Sequence, residues 1–156
     1  MNVHIGLTEL LDNPTILRGE RVGLVVNPIS VTPAFVHAID AFSAHPQINL
    51  TAIFGPEHGA RGEAQYMVHV DQERDARTGL PIFSLYGGSE ESLRPTSAMM
   101  DLVDVMVVDL QDIGSRYYTY IYTMAYCMEA AAREGKRVVV LDRPNPLGGT
   151  IVEGNV

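Results

Sequence analysis

The chain has 156 residues, 46% of them hydrophobic and 19% charged, with a formal net charge of −8. These values fit one domain burying roughly 68–70% of its unfolded surface, and they exclude a disordered tail, a nucleic-acid backbone or an anionic membrane as main partner. The single cysteine, Cys127, excludes an intramolecular disulfide framework and a cysteine zinc cluster, and no apolar run nears the ~20 residues of a membrane-spanning helix.

The chain opens Met1-Asn2-Val3-His4, without the basic and then apolar stretch of a signal peptide, so no export signal is expected and the compartment stays open. An amphipathic helix is predicted around residues 7–11, then a first strand over 22–26. Thr32-Pro33 reads as an N-cap and first-turn proline, opening a helix that carries Phe35, Ile39 and Phe42. A second strand is predicted at 50–54 and a third at 81–85, separated by a long polar stretch from Gly55 to Gly79. Loops of that length are uncommon in compact domains unless they work. Pro95-Thr96 opens a short helix through Met99, Met100 and Val103, followed by a fourth strand at 105–108. The longest helix is expected from about 116 to 133. Its buried stripe would be Ile121, Met124, Met128 and Ala131, with two of Tyr117, Tyr118, Tyr120 and Tyr122 in the core, and Gly135 as its stop. A fifth strand follows at 138–141. The first, fourth and fifth strands are continuous Val/Leu-type runs, as in parallel strands covered on both faces. Strands alternating with helices imply right-handed crossovers and a doubly wound α/β domain, a mostly parallel sheet of five or more strands with helices on both faces.

Open α/β sheets bind ligands outside the carboxyl ends of their strands. The five ends carry Asn27-Pro28-Ile29-Ser30, the run from Gly55 to Glu63, Tyr86-Gly87-Gly88, the run from Asp109 to Tyr118, and Asp142-Arg143-Pro144-Asn145-Pro146. All are polar and rich in glycine or proline, and a site is placed on that edge. Glu57 sits on a turn stiffened by Pro56 and loosened by Gly55 and Gly59, where a carboxyl group serves as general acid or base if its proton is held tightly enough. The alternative is a glutamate that satisfies loop amides beside a histidine, His58, packing the turn. Asp109 ends a buried strand and needs partners. Arg116 is either such a partner or the fork for a ligand carboxylate, and Arg143, on a loop stiffened by prolines, is either a recognition group or a salt bridge bracing the edge. His4, His37, His45 and His69 read as surface or helix positions, and Cys127 as a core thiol. No Gly-x-Gly-x-x-Gly follows the first strand, and no Walker-type or Gly-x-Ser-x-Gly motif occurs, which lowers nucleotide cofactors and a serine elbow.

Four motifs in one order then become specific: Gly-Pro-Glu-His-Gly-Ala-Arg-Gly (55–62), Thr-Gly-Leu-Pro-Ile-Phe-Ser-Leu-Tyr-Gly (78–87), Asp-Leu-Gln-Asp-Ile-Gly-Ser-Arg-Tyr-Tyr-Thr-Tyr (109–120) and Leu-Asp-Arg-Pro-Asn-Pro-Leu-Gly-Gly (141–149). Together they resemble the NamZ-type exo-β-N-acetylmuramidases, a bacterial glycoside hydrolase family, over nearly the whole chain. The resemblance implies a Rossmann-like catalytic domain over 1–156, followed in the parent chain by a smaller C-terminal domain absent here. The active site would lie in the cleft between them. It implies release of N-acetylmuramic acid from the non-reducing end of peptidoglycan fragments, with no cofactor and no metal. Many relatives look exported. Glu57 in the Pro-Glu-His-Gly match becomes the general acid/base. The second catalytic group is Glu153 first, Asp112 or Asp109 next, with the Tyr118 phenol still open. Arg61, Arg116 and Arg143 are candidates for the lactyl carboxylate of muramic acid, and Asn27, His58, Gln111, Asp112, Asp142 and Asn145 for further sugar contacts. Two other classes stay in view: a metal-assisted phosphohydrolase using Asp109, Asp112 and Asp142, and a non-catalytic cell-wall sugar-binding module.

Overall fold

The computed structural model describes residues 3–62 and 73–154. Of the sequence features named above, Met1, Asn2, Glu63 and His69 lie outside the described residues. The elements in chain order are α1 (Gly6–Asp12), β1 (Arg21–Val26), α2 (Ala38–Ala44), β2 (Asn49–Gly55), β3 (Glu73–Arg74), β4 (Pro81–Ser84), α3 (Ser97–Met100), β5 (Val105–Asp109), α4 (Tyr120–Arg133) and β6 (Arg137–Val140). One sheet runs β3-β4-β2-β1-β5-β6. Every neighbouring pair is parallel except the two-residue edge strand β3, which runs antiparallel to β4. This is the doubly wound, Rossmann-like order.

The alternation of side chains along each strand divides the core in two. On one face Val22, Leu24, Val26, Val105 and Val107 meet Leu7 and Leu10 of α1 and Ile39 and Phe42 of α2. On the other, Val25, Met106 and Val108 meet Met100 of α3 and Cys127, Ala130 and Ala131 of α4. Strand β2 serves both faces through an irregularity. The register with β1 slips between Val22 and Gly23, so Leu50 and Ile53 join the first face while Ala52 and Phe54 join the second. Thr51, at the slip, donates its hydroxyl to the Leu102 carbonyl at 2.8 Å.

Four sequence expectations need correction. Thr32-Pro33 does not open α2. It starts a tight turn in which the Phe35 N–H reaches the Thr32 carbonyl at 2.8 Å, and Val31 bridges His37 beyond it. Phe35 is 86% exposed with φ +61°, and His37 caps the helix by accepting the Ile39 N–H on Nδ1 at 3.2 Å. Helix α4 begins at Tyr120, not near 116, and its buried residues are Thr123, Cys127, Ala130 and Ala131 while Ile121 and Met128 lie half exposed. The small residues let the helix sit close on the sheet, which a ranking by hydrophobic size misses. None of the four tyrosines from 117 to 122 is in the core; Tyr117 is 90% exposed. Strand β6 is not covered on both faces, because it ends the sheet and Val140 stays half exposed.

Candidate active site

The parallel register sets Val25 beside Phe54, Gly55 beside Ser84, Val26 beside Asp109, and Val108 beside Val140. The chain segments carrying Asn27, Glu57, Tyr86, Arg116 and Asp142 therefore all leave the same edge of the sheet, as the strand-end argument requires.

The β2 exit is the most shaped of these segments. Gly55 is required there, since a Cβ would sit 2.6 Å from the Ala60 nitrogen. The Gly59 N–H then closes a turn on the Pro56 carbonyl at 2.9 Å, with Glu57 and His58 as its central residues. His58 takes φ +73° at the position where such turns usually ask for glycine or asparagine, and its side chain is exposed. Glu57 lines a cavity of about 240 Å³. Leu85 and Tyr86 from the β4 exit form one wall and Leu93 another. Thr119, Tyr122, Thr123 and Tyr126 form the third, and their spacing puts them on one face at the start of α4. Behind Tyr126 stands Arg94, its guanidinium 3.9 Å from the ring centroid and paired with Glu90 at 3.0 Å. Glu57 is the one carboxylate, and there is no cation, among the described residues lining the cavity. Tyr86 lines this cavity with Glu57, and hydrogen bonding and charge from that carboxylate raise the phenol above its ordinary pKa.

Two of the candidate arginines are engaged elsewhere. Arg143 lays a fork on Asp109, Nε at 2.6 Å and Nη2 at 2.9 Å, and also donates to the Val31 carbonyl at 3.0 Å. Both partners are buried. The pair fills the crevice where the strand order reverses between β1 and β5, with Ser30 donating to the Asp109 carbonyl at 2.5 Å. Asn27 is fully buried beside it. Its Nδ2 has no partner among the described residues, while its carbonyl accepts from His37 Nε2 at 3.1 Å. Arg61 binds Asp75 through Nε at 2.5 Å and Asp40 through Nη2 at 2.6 Å. Burial pushes the Asp75 carboxyl up, but hydrogen bonds from Arg61 and Thr78 outweigh it and hold it at about 2. Arg61 lines a second, open depression with Phe35, Val36, His37, Asp40 and Arg77, separate from the Glu57 cavity. Burial lowers the His37 pKa there, against the contrary pull of the Asn27 carbonyl.

The remaining candidates brace or border the edge. Gln111 donates to the carbonyls of Asp112 at 2.6 Å and Pro144 at 3.1 Å. Asp112 accepts the Gly114 N–H at 3.2 Å, and Asn145 packs against Gly114 so closely that a Cβ there would meet its side-chain amide at 2.3 Å. Asp142, Glu153 and Arg116 are exposed, and Tyr118 is 45% exposed one residue before the cavity-lining Thr119. None of these lines the Glu57 cavity. Asp109, Asp112 and Asp142 do not form a metal trio, and no group of three or more His, Cys, Asp or Glu side chains among the described residues is placed to hold a metal ion. Sequence reasoning missed Tyr86, Thr119, Thr123 and Tyr126 as wall residues. The helical spacing 119, 122, 123, 126 was the available signal.

Comparison with known proteins shows the family. The model for "Exo-beta-N-acetylmuramidase NamZ, N-terminal" matches residues 22–156. The peptidoglycan beta-N-acetylmuramidase NamZ of Bacillus subtilis is 47% identical over 99% of this chain and 37% of its own length. Two crystal structures of DUF1343-family proteins from Bacteroides fragilis superpose on it. One has a TM-score of 0.87 at 46% identity, over 97% of this chain and 37% of that one. The other has 0.75 at 34%, over 94% and 36%. The chain thus spans a little over a third of the length of these relatives. Fold, motifs and identity agree: the chain belongs to the NamZ family, and corresponds to its N-terminal part.

Proposed function

We propose that this chain forms the catalytic N-terminal domain of an exo-acting glycoside hydrolase that frees N-acetylmuramic acid from the non-reducing ends of peptidoglycan fragments. The observation that carries the reading is the placement of Glu57 in a tyrosine- and threonine-walled cavity at the carboxyl edge of the sheet. The cavity is smaller than the ~300–1,000 Å³ of sites for drug-sized ligands, so it takes one sugar ring rather than a run of them. Tyrosine faces and hydroxyls suit such a ring, which is apolar on its faces and polar at its rim.

In this mechanism the Glu57 carboxyl gives its proton to the glycosidic oxygen as the C–O bond breaks and positive charge builds on the sugar. Its carboxylate then takes a proton from the water that completes hydrolysis. Tyr118 and Glu153 remain the proposed second groups, Tyr118 first because it adjoins Thr119. Asp109 is less suited, since both its oxygens are held by Arg143. For the lactyl carboxylate we take Arg116 first, because it is exposed on the segment between β5 and the cavity-lining Thr119. The C-terminal remainder of the relatives' length would supply the facing wall of the cleft. No helix among the described residues is long and apolar enough to cross a membrane.

The test is turnover of a chromogenic N-acetylmuramide by the full-length protein and its Glu57→Gln variant. Free N-acetylmuramic acid is expected, insensitive to EDTA, with kcat about 10²- to 10⁴-fold lower in the variant. Unchanged turnover in the variant removes Glu57 from its role. Loss in EDTA restored by Mg²⁺ would turn the reading toward metal-assisted hydrolysis, and sugar binding without turnover toward a recognition module.

A further inference from the structure

We propose that Tyr86 is the positioning residue of this site, its phenol hydroxyl donating to Glu57 and fixing the carboxyl side chain against the cavity. The proposal rests on the reading of Glu57 as the acid.

The backbone around Tyr86 is arranged for this. The Leu85 N–H donates to the Gly55 carbonyl at 2.8 Å, tying the β4 exit to the β2 exit two residues before Glu57. Leu85 is buried and anchors the segment. The Ser84 hydroxyl then brackets Tyr86, donating to its carbonyl at 3.1 Å and accepting its N–H at 3.3 Å. The ring thus leaves a pinned backbone and lines the same cavity as Glu57. The carboxyl group, by contrast, sits on a turn whose next residue takes a left-handed conformation, and a glutamate there has three side-chain torsions to settle. A donor held from the neighbouring strand removes that freedom. Among the described residues, the polar side chains that line the cavity with Glu57 and Tyr86 are the neutral Thr119, Tyr122, Thr123 and Tyr126, with the Arg94 guanidinium stacked on Tyr126.

Two measurements test it, one without turnover. First, the Tyr86 phenol is titrated by ¹³C NMR in the unmodified protein and in Glu57→Gln. The negative charge that raises the phenol is lost in the variant, leaving a weaker amide acceptor, so the midpoint is expected to fall. An unmoved midpoint overturns the contact. Second, kinetics of Tyr86→Phe are followed across pH. Expected is a fall in kcat of about tenfold with KM within twofold, and displacement of the alkaline limb to higher pH, because a carboxyl group that has lost a donor to its ionised form holds its proton more tightly. A uniform fall with unmoved limbs marks a merely structural ring and overturns the proposal. Full turnover in Glu57→Gln overturns the catalytic reading instead, and the NMR titration tells the two failures apart.

Discussion

The carboxyl edge of the sheet has two halves built from the same vocabulary. Toward α4, Glu57 lies among phenols and threonine hydroxyls, with no guanidinium among the described residues that line the cavity. Toward α2 and the β1/β5 crevice, Arg61 and Arg143 are spent on Asp40, Asp75 and Asp109. In the sequence, arginines and acids of both halves look equally available for chemistry. The fold separates them by partnership. A buried charge is tolerated only when paired, so each pair in the second half locks a loop and loses its freedom to act. What remains able to meet a ligand is the group whose neighbours are neutral.

That contrast breaks most sharply at Arg143. Its removal leaves the fully buried Asp109 carboxylate without its fork, and losing one partner of a buried pair costs about 3–5 kcal/mol. Urea unfolding of Arg143→Ala is expected to show a loss of that order. If the variant instead unfolds within about 1 kcal/mol of the parent but no longer binds muramic acid, Arg143 belongs to the first half and the division fails.

Acid probes the same half more gently. The Asp75 carboxyl titrates near 2 in the folded chain, against an ordinary value of 3.8. A carboxylate with its folded pKa depressed contributes stability above the unfolded value and loses it as pH falls through the folded one. The contacts that Arg61 and Thr78 make to Asp75, net of burial, are therefore together worth about 2 kcal/mol near neutrality, declining between about pH 4 and pH 2. Comparing the pH dependence of unfolding in the parent and in Asp75→Asn checks this. The parent's stability should drop across that window more than the variant's does.

The strands were legible because their signals are local. Val22 to Val26 and Val105 to Val108 are apolar runs closed by Asn27-Pro28 and by Asp109, and α4 stops at Gly135, with φ +63°. The shared edge followed from strand direction alone, and with it the nearness of Glu57 to a site. Partnership was not legible. Arg143 meets Asp109 across 34 residues, and Arg61 meets Asp40 across 21. Nothing in either segment announces the other. The start of α2 failed for a related reason. Thr32-Pro33 carries a sound local cap signal, yet the bridge from Val31 to His37 closes a turn around it and hands the cap to a histidine. Tertiary contacts also decided the stripe of α4, where close approach to the sheet favoured Thr123, Cys127 and Ala130 over the larger Ile121 and Met128.

His58 gives the smallest and finest test, since it stands beside the acid without lining the cavity. Its left-handed backbone, φ +73°, costs an ordinary side chain on the order of 1 kcal/mol, although histidine tolerates the region better than most. Glycine relieves that strain but adds freedom to the unfolded chain, so His58→Gly should change stability by no more than about 1 kcal/mol, toward the stable side. Steady-state kinetics then sort the residue. If its imidazole touches the sugar in both ground and transition states, KM rises while kcat holds. If kcat falls instead, the turn's rigidity rather than the imidazole is what keeps Glu57 aimed, and the acid half of the edge owes its geometry to a strained backbone as much as to the tyrosine beside it.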